Sequence, residues 1–261
     1  MIVKKTPAEI DKMARAGEIL VRTMDLLAGK VRPGVTTGEL DRIAADILKR
    51  RGAISNFKGY GVPVLPPFTG VICTSVNEQI VHGIPGKRRL KEGEIVSIDA
   101  GAIVEGWHAD AAVTVPVGQV PAQAAQLISV TEEALRRAIA AAVVGKRLGD
   151  IGAAVQRFVE SQGLSVVRNY VGHGIGRAMH EEPQVPNYGA PERGLQIKEG
   201  LCIAIEPMVN AGGPETRTLP DQWTVVTADG SLSAHFEHTL ACTAAGPIVL
   251  TAPEGKAMAA A

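Results

Sequence analysis

Apolar residues recur at three-four spacing behind the tetrad Thr6-Pro7-Ala8-Glu9: Ile10, Met13, Gly17, Leu20, Met24 and Leu27 share one stripe of a helix. Thr6 suits the N-cap, Pro7 the first helical position and Glu9 the reciprocal place in a capping box, with an end predicted near Gly29. A second amphipathic helix is predicted from Thr37. It buries Leu40, Ile43, Ile47 and Leu48 and stops at Gly52, which can take the left-handed conformation after a helix without strain. The period then changes. Alternating or continuous apolar runs over residues 70–81, 95–98 and 111–117 predict strands, and helical spacing returns over 122–144 and 149–162, before strand-like and glycine-rich segments follow.

The pattern is written twice. KEGEIVSIDAG at 91–101 returns as KEGLCIAIEPM at 198–208, an offset of 107 that matches Asp99 with Glu206. At an offset of 111, Gly34 matches Gly145, Gly38 matches Gly149, Glu39 matches Asp150, Leu40 matches Ile151, Ile47 matches Phe158 and Gly52 matches Gly163. This period is too long for a solenoid, whose repeats run about 20 to 50 residues. The expectation is an α+β fold of two halves, about 1–120 and 121–250, packed about a pseudo-twofold axis within one catalytic domain of residues 1–261. Residues 252–261 are expected to be a flexible tail. Asp99 and Glu206 would occupy equivalent points facing the axis.

Inward carboxylates need a cation, because each one buried alone costs several kcal/mol or takes up a proton. The segment 95–117 reads as a hairpin turning at Glu105-Gly106, which pairs Val104 with Trp107, Gly101 with Asp110 and Asp99 with Ala112. Asp99 and Asp110 then share a face as diagonal neighbours, with backbones roughly 7 to 8 Å apart. Two short carboxylates at that spacing can reach one metal or bridge two. In HFEHTL, period-two alternation sends Glu237 and Phe236 to opposite faces, and YVGHGIGRAMHEEPQVPNY supplies His173 and His180. Four carboxylates and one imidazole suit two divalent ions, whose charges balance.

Composition narrows the setting. With 27 Lys+Arg against 27 Asp+Glu, no overall field draws the chain to nucleic acid or to an anionic membrane. Cys73, Cys202 and Cys242 form no C-x-x-C pair and fit free thiols in a reducing cytoplasm. The opening MIVKKTPAEI lacks a secretory pattern, and no apolar run approaches the roughly 18 to 20 residues that span a bilayer. A cytoplasmic protein without membrane or sequence-specific nucleic-acid partners is expected.

VNEQIVHGIP, the Asp99-to-Asp110 spacing, GHGIGRAMHEEPQVPNYG, IEPM and FEHT together resemble the type I methionine aminopeptidases in their bacterial form, over nearly the whole chain. The resemblance implies a pita-bread fold, two related halves around a curved antiparallel sheet. It implies that Asp99, Asp110, His173, Glu206 and Glu237 hold two divalent ions (cobalt, manganese, iron or zinc), with Asp110 and Glu237 bridging them. A metal-bridged hydroxide would attack the scissile carbonyl, Glu206 would carry the proton, His180 would stabilise the oxyanion and His82 would contact the substrate amide. A methionine pocket of Phe57, Tyr60, Phe68, Cys73, Met179 and Trp223, with His82 at its rim, is implied as well. Apolar walls and soft sulfur suit an unbranched thioether. The segment GVPVLPP before Phe68 is about five residues longer than the resemblance leads one to expect, and Met179 stands where an aromatic is frequent. A monovalent cation near Asn77, Gln79 and Ser233, N-terminal-Met substrates whose second residue is small, transient ribosome association and a monomer complete what it implies. His108, His235 and His238 have no such support and are assigned to structure. The rivals are a proline-specific relative, which carries a large preceding domain, and a metal-free binding protein, which has lost ligands.

Overall fold

The structure, a computed structural model, describes residues 2–61 and 65–252. In the first half, α1 (Pro7–Ala28) and α2 (Thr37–Arg50) form as their patterns predict. Each begins at a threonine whose backbone N–H donates to the glutamate three residues on, Thr6 to Glu9 at 2.8 Å and Thr36 to Glu39 at 2.7 Å. The buried stripe of α2 runs through Leu40, Ala44 and Leu48, leaving Ile43 and Ile47 half-buried on its flank. Strands β1 (Ile54–Ser55), β2 (Ile72–Val76), β3 (Gln79–Val81), β4 (Ile95–Val104) and β5 (Trp107–Pro116) follow. The run at 70–81 is two strands rather than one because Asn77 takes φ 58° and turns the chain between them.

The second half repeats the helix pair as α3 (Ala122–Ala141) and α4 (Leu148–Ser161), α3 ending three residues before the expected limit. Short strands β6 (Ser165–Val166), β7 (Gly172–Gly174), β8 (Glu181–Val185), β9 (Cys202–Ile205) and β10 (Met208–Asn210) come next. Then come β11 (Thr216–Thr218), β12 (Val225–Thr227), β13 (Ser233–His235), β14 (Glu237–Thr243) and β15 (Gly246–Val249). Glycines matched by sequence share backbone geometry, with φ 90° at Gly34 and 94° at Gly145, and 70° at Gly52 and 73° at Gly163. Of the tail expected at 252–261, all but Ala252 lies outside the described residues.

The main sheet runs β1-β4-β5-β14-β9-β7-β8, with β2 also on β4 and β15 on β14, and its pairs are antiparallel. Glu105 and Gly106, at φ 51° and 75°, make the tight turn between β4 and β5. That turn fixes Val104↔Trp107, Gly101↔Asp110 and Asp99↔Ala112, as predicted. The helix pairs bury two separate cores. α1 and α2 pack Leu20, Leu27, Leu40 and Leu48 with Val96 and Ile98, while α3 and α4 pack Leu127, Leu135, Ile151 and Val155 with Ile203, Ile205 and Leu240. Between these cores the halves meet where β5 lies beside β14.

Helix α1 is also held to the end of the described chain. A Cβ on Gly17 would collide with the Leu250 carbonyl, so the close approach needs glycine. Gly17→Ala should lower the melting temperature by roughly 2 to 12 °C, the effect of about 1 to 3 kcal/mol of overpacking in a chain of this size. An unchanged thermal melt would mean that α1 does not bear on this segment.

Candidate metal centre and active site

The five residues expected to bind metal converge from different strands on one cavity. Asp99 lies on β4, Asp110 on β5 and His173 on β7, while Glu206 follows β9 directly and Glu237 opens β14. All five line the cavity. Asp110, His173 and Glu237 each bring one donor atom within 4.8 Å of the others. Glu206 Oε1 stands 3.6 Å from His173 Nε2. The alternation at β14 is as expected, with Phe236 in the second core and Glu237 facing the cavity.

The donor set fits a divalent cation. Oδ1 of Asp99, Oδ1 of Asp110 and Oε1 of Glu237 are buried with no hydrogen-bond partner, although a buried carboxylate oxygen left alone is expensive. His173 Nδ1 lies 2.8 Å from the Gly174 carbonyl. A carbonyl only accepts, so the proton sits on Nδ1 and Nε2 is bare, the tautomer a metal requires. Burial pushes Asp99 up to about 7. It drives Asp110, Glu206 and Glu237 well above the usual carboxylate range, and neighbouring carboxylates add to the rise. Burial also lowers His173 to about 3, keeping the imidazole neutral.

The opposite wall is apolar. Phe57, Phe68, Cys73, Met179 and Trp223 form one buried cluster with Tyr60 against it, so all six expected pocket residues come together. With a volume of 170 Å³ the cavity is similar to the ~150 Å³ engineered cavity that admits benzene, and so suits one side chain. Phe68 meets Trp223 edge-on at 5.3 Å and Phe57 at 6.5 Å. The longer segment before Phe68 is fastened to this wall, since the Trp223 indole donates to the Pro66 carbonyl at 2.9 Å. Residues 62–64 of that segment lie outside the described residues. Burial, with Asp99 and Asp110 nearby, holds the Cys73 thiol far above its ordinary range and therefore neutral.

Two further histidines, His82 and His180, line the cavity. His180 Nδ1 is 2.8 Å from the Tyr60 hydroxyl, and its ring lies 4.3 Å from that of His173. With the Tyr60 O–H as donor, the neutral ring carries its proton on Nε2. His82 has φ 60°, a left-handed backbone uncommon outside glycine, and sits edge-on to Trp223 and Tyr170. Burial and the nearby His180 lower it to about 4.

The sequence reading misses Val81, Tyr170, Val171 and Met208, which also line the cavity. Tyr170 and Met208 lie within three residues of the expected ligands His173 and Glu206 in the chain, and that proximity was the available signal. His235, assigned to structure, is buried with Nε2 3.7 Å from Glu206 Oε2 and neither ring nitrogen hydrogen-bonded. His238, in contrast, meets the Thr251 hydroxyl at 3.0 Å.

Asp99→Asn, Asp110→Asn and Glu237→Gln should each lose bound divalent metal and, with it, orders of magnitude in activity, measured by metal analysis alongside rate. His180→Ala should keep its metal and lose turnover. Metal and activity both retained in any carboxamide variant would remove that residue from the ligand set, and metal lost from His180→Ala would add His180 to it.

Comparison with known proteins gives this geometry a family. The chain matches metallopeptidase family M24 over residues 11–244. It is 52% identical over 252 residues to the methionine aminopeptidase of Clostridium perfringens, covering 96% of this chain and 99% of that protein. To methionine aminopeptidase 1 of Bacillus subtilis it is 50% identical over 251 residues, with the same coverage of 96% and 99%. The crystal structure of methionine aminopeptidase from Thermotoga maritima superposes with a TM-score of 0.94 at 43% identity, covering 97% of this chain and 100% of that one. The prolidase from Pyrococcus furiosus, at 22% identity and a TM-score of 0.77, shares the fold alone, and this chain spans 66% of it. Cavity, sheet and sequence agree that the chain belongs to the methionine aminopeptidases of metallopeptidase family M24 and has their pita-bread fold of helices around a curled antiparallel sheet.

Proposed function

We propose that residues 1–261 act as one metal-dependent aminopeptidase unit that hydrolyses the N-terminal methionine from peptides and nascent proteins whose second residue is small. The observation that carries this reading is the cavity's division into two walls. A cluster of orphaned carboxylate oxygens faces a pocket of aromatic rings and soft sulfur.

When bound, a pair of divalent ions supplies an acidified water at neutral pH and polarises the scissile carbonyl. Asp99, Asp110, His173, Glu206 and Glu237 would hold the ions, with four carboxylates offsetting four positive charges. Glu206, close to both His173 and His235, carries the proton from the nucleophile to the leaving amine. His180, oriented by Tyr60, offers its Nε2–H to the developing oxyanion. His82 contacts the substrate amide from the rim. Phe57, Tyr60, Phe68, Cys73, Met179 and Trp223 take the methionine side chain, which has no branch to collide with the edge-on rings.

Cobalt, manganese, iron and zinc all suit this oxygen-rich set. The reading includes a monovalent cation near Asn77, Gln79 and Ser233, whose side chains bond Ile95 N, Val76 N and Val209 O. The reading extends to a cytoplasmic monomer that meets nascent chains by transient ribosome association. In the basic run 87–89, Arg88 pairs with Glu94 and Arg89 donates to the Gly34 carbonyl, which leaves Lys87 as its uncommitted charge.

Methionyl peptides varied at the second residue, assayed against a titration of divalent metal, test the proposal. Turnover should require metal, favour small second residues and accept norleucine in place of methionine. Trp223→Ala and Phe57→Ala should raise KM several-fold at unchanged metal content. Metal-independent cleavage, or cleavage that requires proline after the scissile bond, would overturn the reading.

A further inference from the structure

The two halves of the sheet touch through few direct pairs. Between β5 and β14 the ladder consists of Ala112↔Glu237 and Ala111↔His238, although Asp110 and Glu237 both lie at this junction. At each end a threonine hydroxyl replaces the ladder. Thr239 Oγ1 donates to the Asp110 carbonyl at 2.8 Å and accepts from the Asp110 N–H at 2.9 Å. Thr114 Oγ1 donates to the His235 carbonyl at 2.8 Å and accepts from the His235 N–H at 2.8 Å.

These bridges are built rather than incidental. Thr114 and Thr239 are 2% and 0% exposed, so solvent cannot take over from the hydroxyls. The groups around them are committed as well. Thr239 donates its own N–H to Thr251 Oγ1 at 3.0 Å, and its carbonyl accepts from Leu250 at 2.9 Å. Ser97 Oγ lies 2.8 Å from Thr114 Oγ1 and must be the donor there, because the Thr114 proton is given to His235.

A hydroxyl has one proton and two lone pairs, enough to satisfy both the N–H and the C=O of a single residue. Placing Cβ and Oγ between two backbones also holds them farther apart than a direct N–H···O=C bond does. One such spacer grips Asp110 itself, and the other grips the residue two positions before Glu237.

We propose that Thr114 and Thr239 are positioning residues that set the separation of Asp110 and Glu237 for divalent metal, an inference that rests on those carboxylates being ligands. The test measures cobalt(II) affinity by competition with a chelator, the visible spectrum of the cobalt protein and the melt of the metal-free protein. T114V, T239V, T114S, T239S and D110N are compared with the wild type. The valine variants should bind cobalt about 10- to 100-fold more weakly, with an altered spectrum, in line with the usual effect of removing a group that orients a ligand. The serine variants keep the hydroxyl and should match the wild type in affinity and spectrum. Valine variants that melt earlier but bind cobalt with wild-type affinity and spectrum would overturn the proposal, leaving the threonines a structural role only. Should a valine variant not fold, its serine partner decides, since weakened cobalt binding there would trace the effect to the methyl contact instead. If D110N alone kept wild-type affinity, the ligand assignment would fail rather than the spacer inference.

Discussion

Four carboxylates without a counter-charge stand where the two halves of the sheet meet. Asp99, Asp110, Glu206 and Glu237 face one cavity, and among the described residues neither lysine nor arginine lines it. The buried Lys5 is engaged elsewhere, with Glu181 at 2.6 Å. Protein groups therefore cannot neutralise the cluster, and the alternatives are protons or a bound cation. The bare Nε2 of His173 favours the cation, because a proton there would add a charge that burial opposes. The tight β4–β5 turn, the short β5–β14 junction, the short strand β7 that carries His173 and the end of β9 before Glu206 all bring these groups to one point.

A carboxylate cluster on one wall of the cavity faces an apolar wall on the other. The prolidase from Pyrococcus furiosus shares the fold at a TM-score of 0.77, so architecture alone does not separate substrate classes. Phe57, Tyr60, Phe68, Tyr170 and Trp223 line the cavity, more than half of the aromatic residues in a chain with 3% aromatics. Such concentration in an aromatic-poor chain points to a role in recognition beyond filling a core. Cys73, kept neutral by its surroundings, and Met179 give the wall polarisable sulfur without adding charge beside the carboxylates.

Much of this was legible in the sequence, where the determinants are local. The Glu105-Gly106 turn allows one register, so the shared face of Asp99 and Asp110 follows from strand alternation alone. The capping glutamate three residues from Thr6 marked the start of α1 in the same way, and the equivalent bond from Thr36 to Glu39 emerged with the structure. What stayed hidden is made by contacts between distant segments. Thr114 and His235 are 121 positions apart, Asp110 and Thr239 are 129 apart, and neither pair leaves a periodic trace. His235 looked structural because the nearness of its ring to Glu206 depends on how β13 is laid against β10, which no local pattern specifies. The break at Asn77 was missed for a related reason. Its left-handed backbone is stabilised by side-chain bonds to residues 94 and 95, outside any short window.

The fold tolerates the carboxylate cluster because divalent metal neutralises it, and stability measured against pH, with and without metal, puts this to the test. In the metal-free protein burial pushes Asp99 up to about 7 and holds Asp110, Glu206 and Glu237 well above the usual carboxylate range, so the folded state retains protons that the unfolded chain has released. An acid whose pKa is raised by folding stabilises most fully below its unfolded pKa, and that contribution is gone once pH has risen through the folded pKa. Asp99 should therefore take stability from the metal-free protein as pH rises from about 4 to about 7, by up to about 1.4 kcal/mol per pH unit while its proton is retained. Metal saturation should remove this decline, so the stability that metal adds should grow with pH over that range. Parallel stability curves with and without metal would mean that the fold tolerates the cluster without a cation.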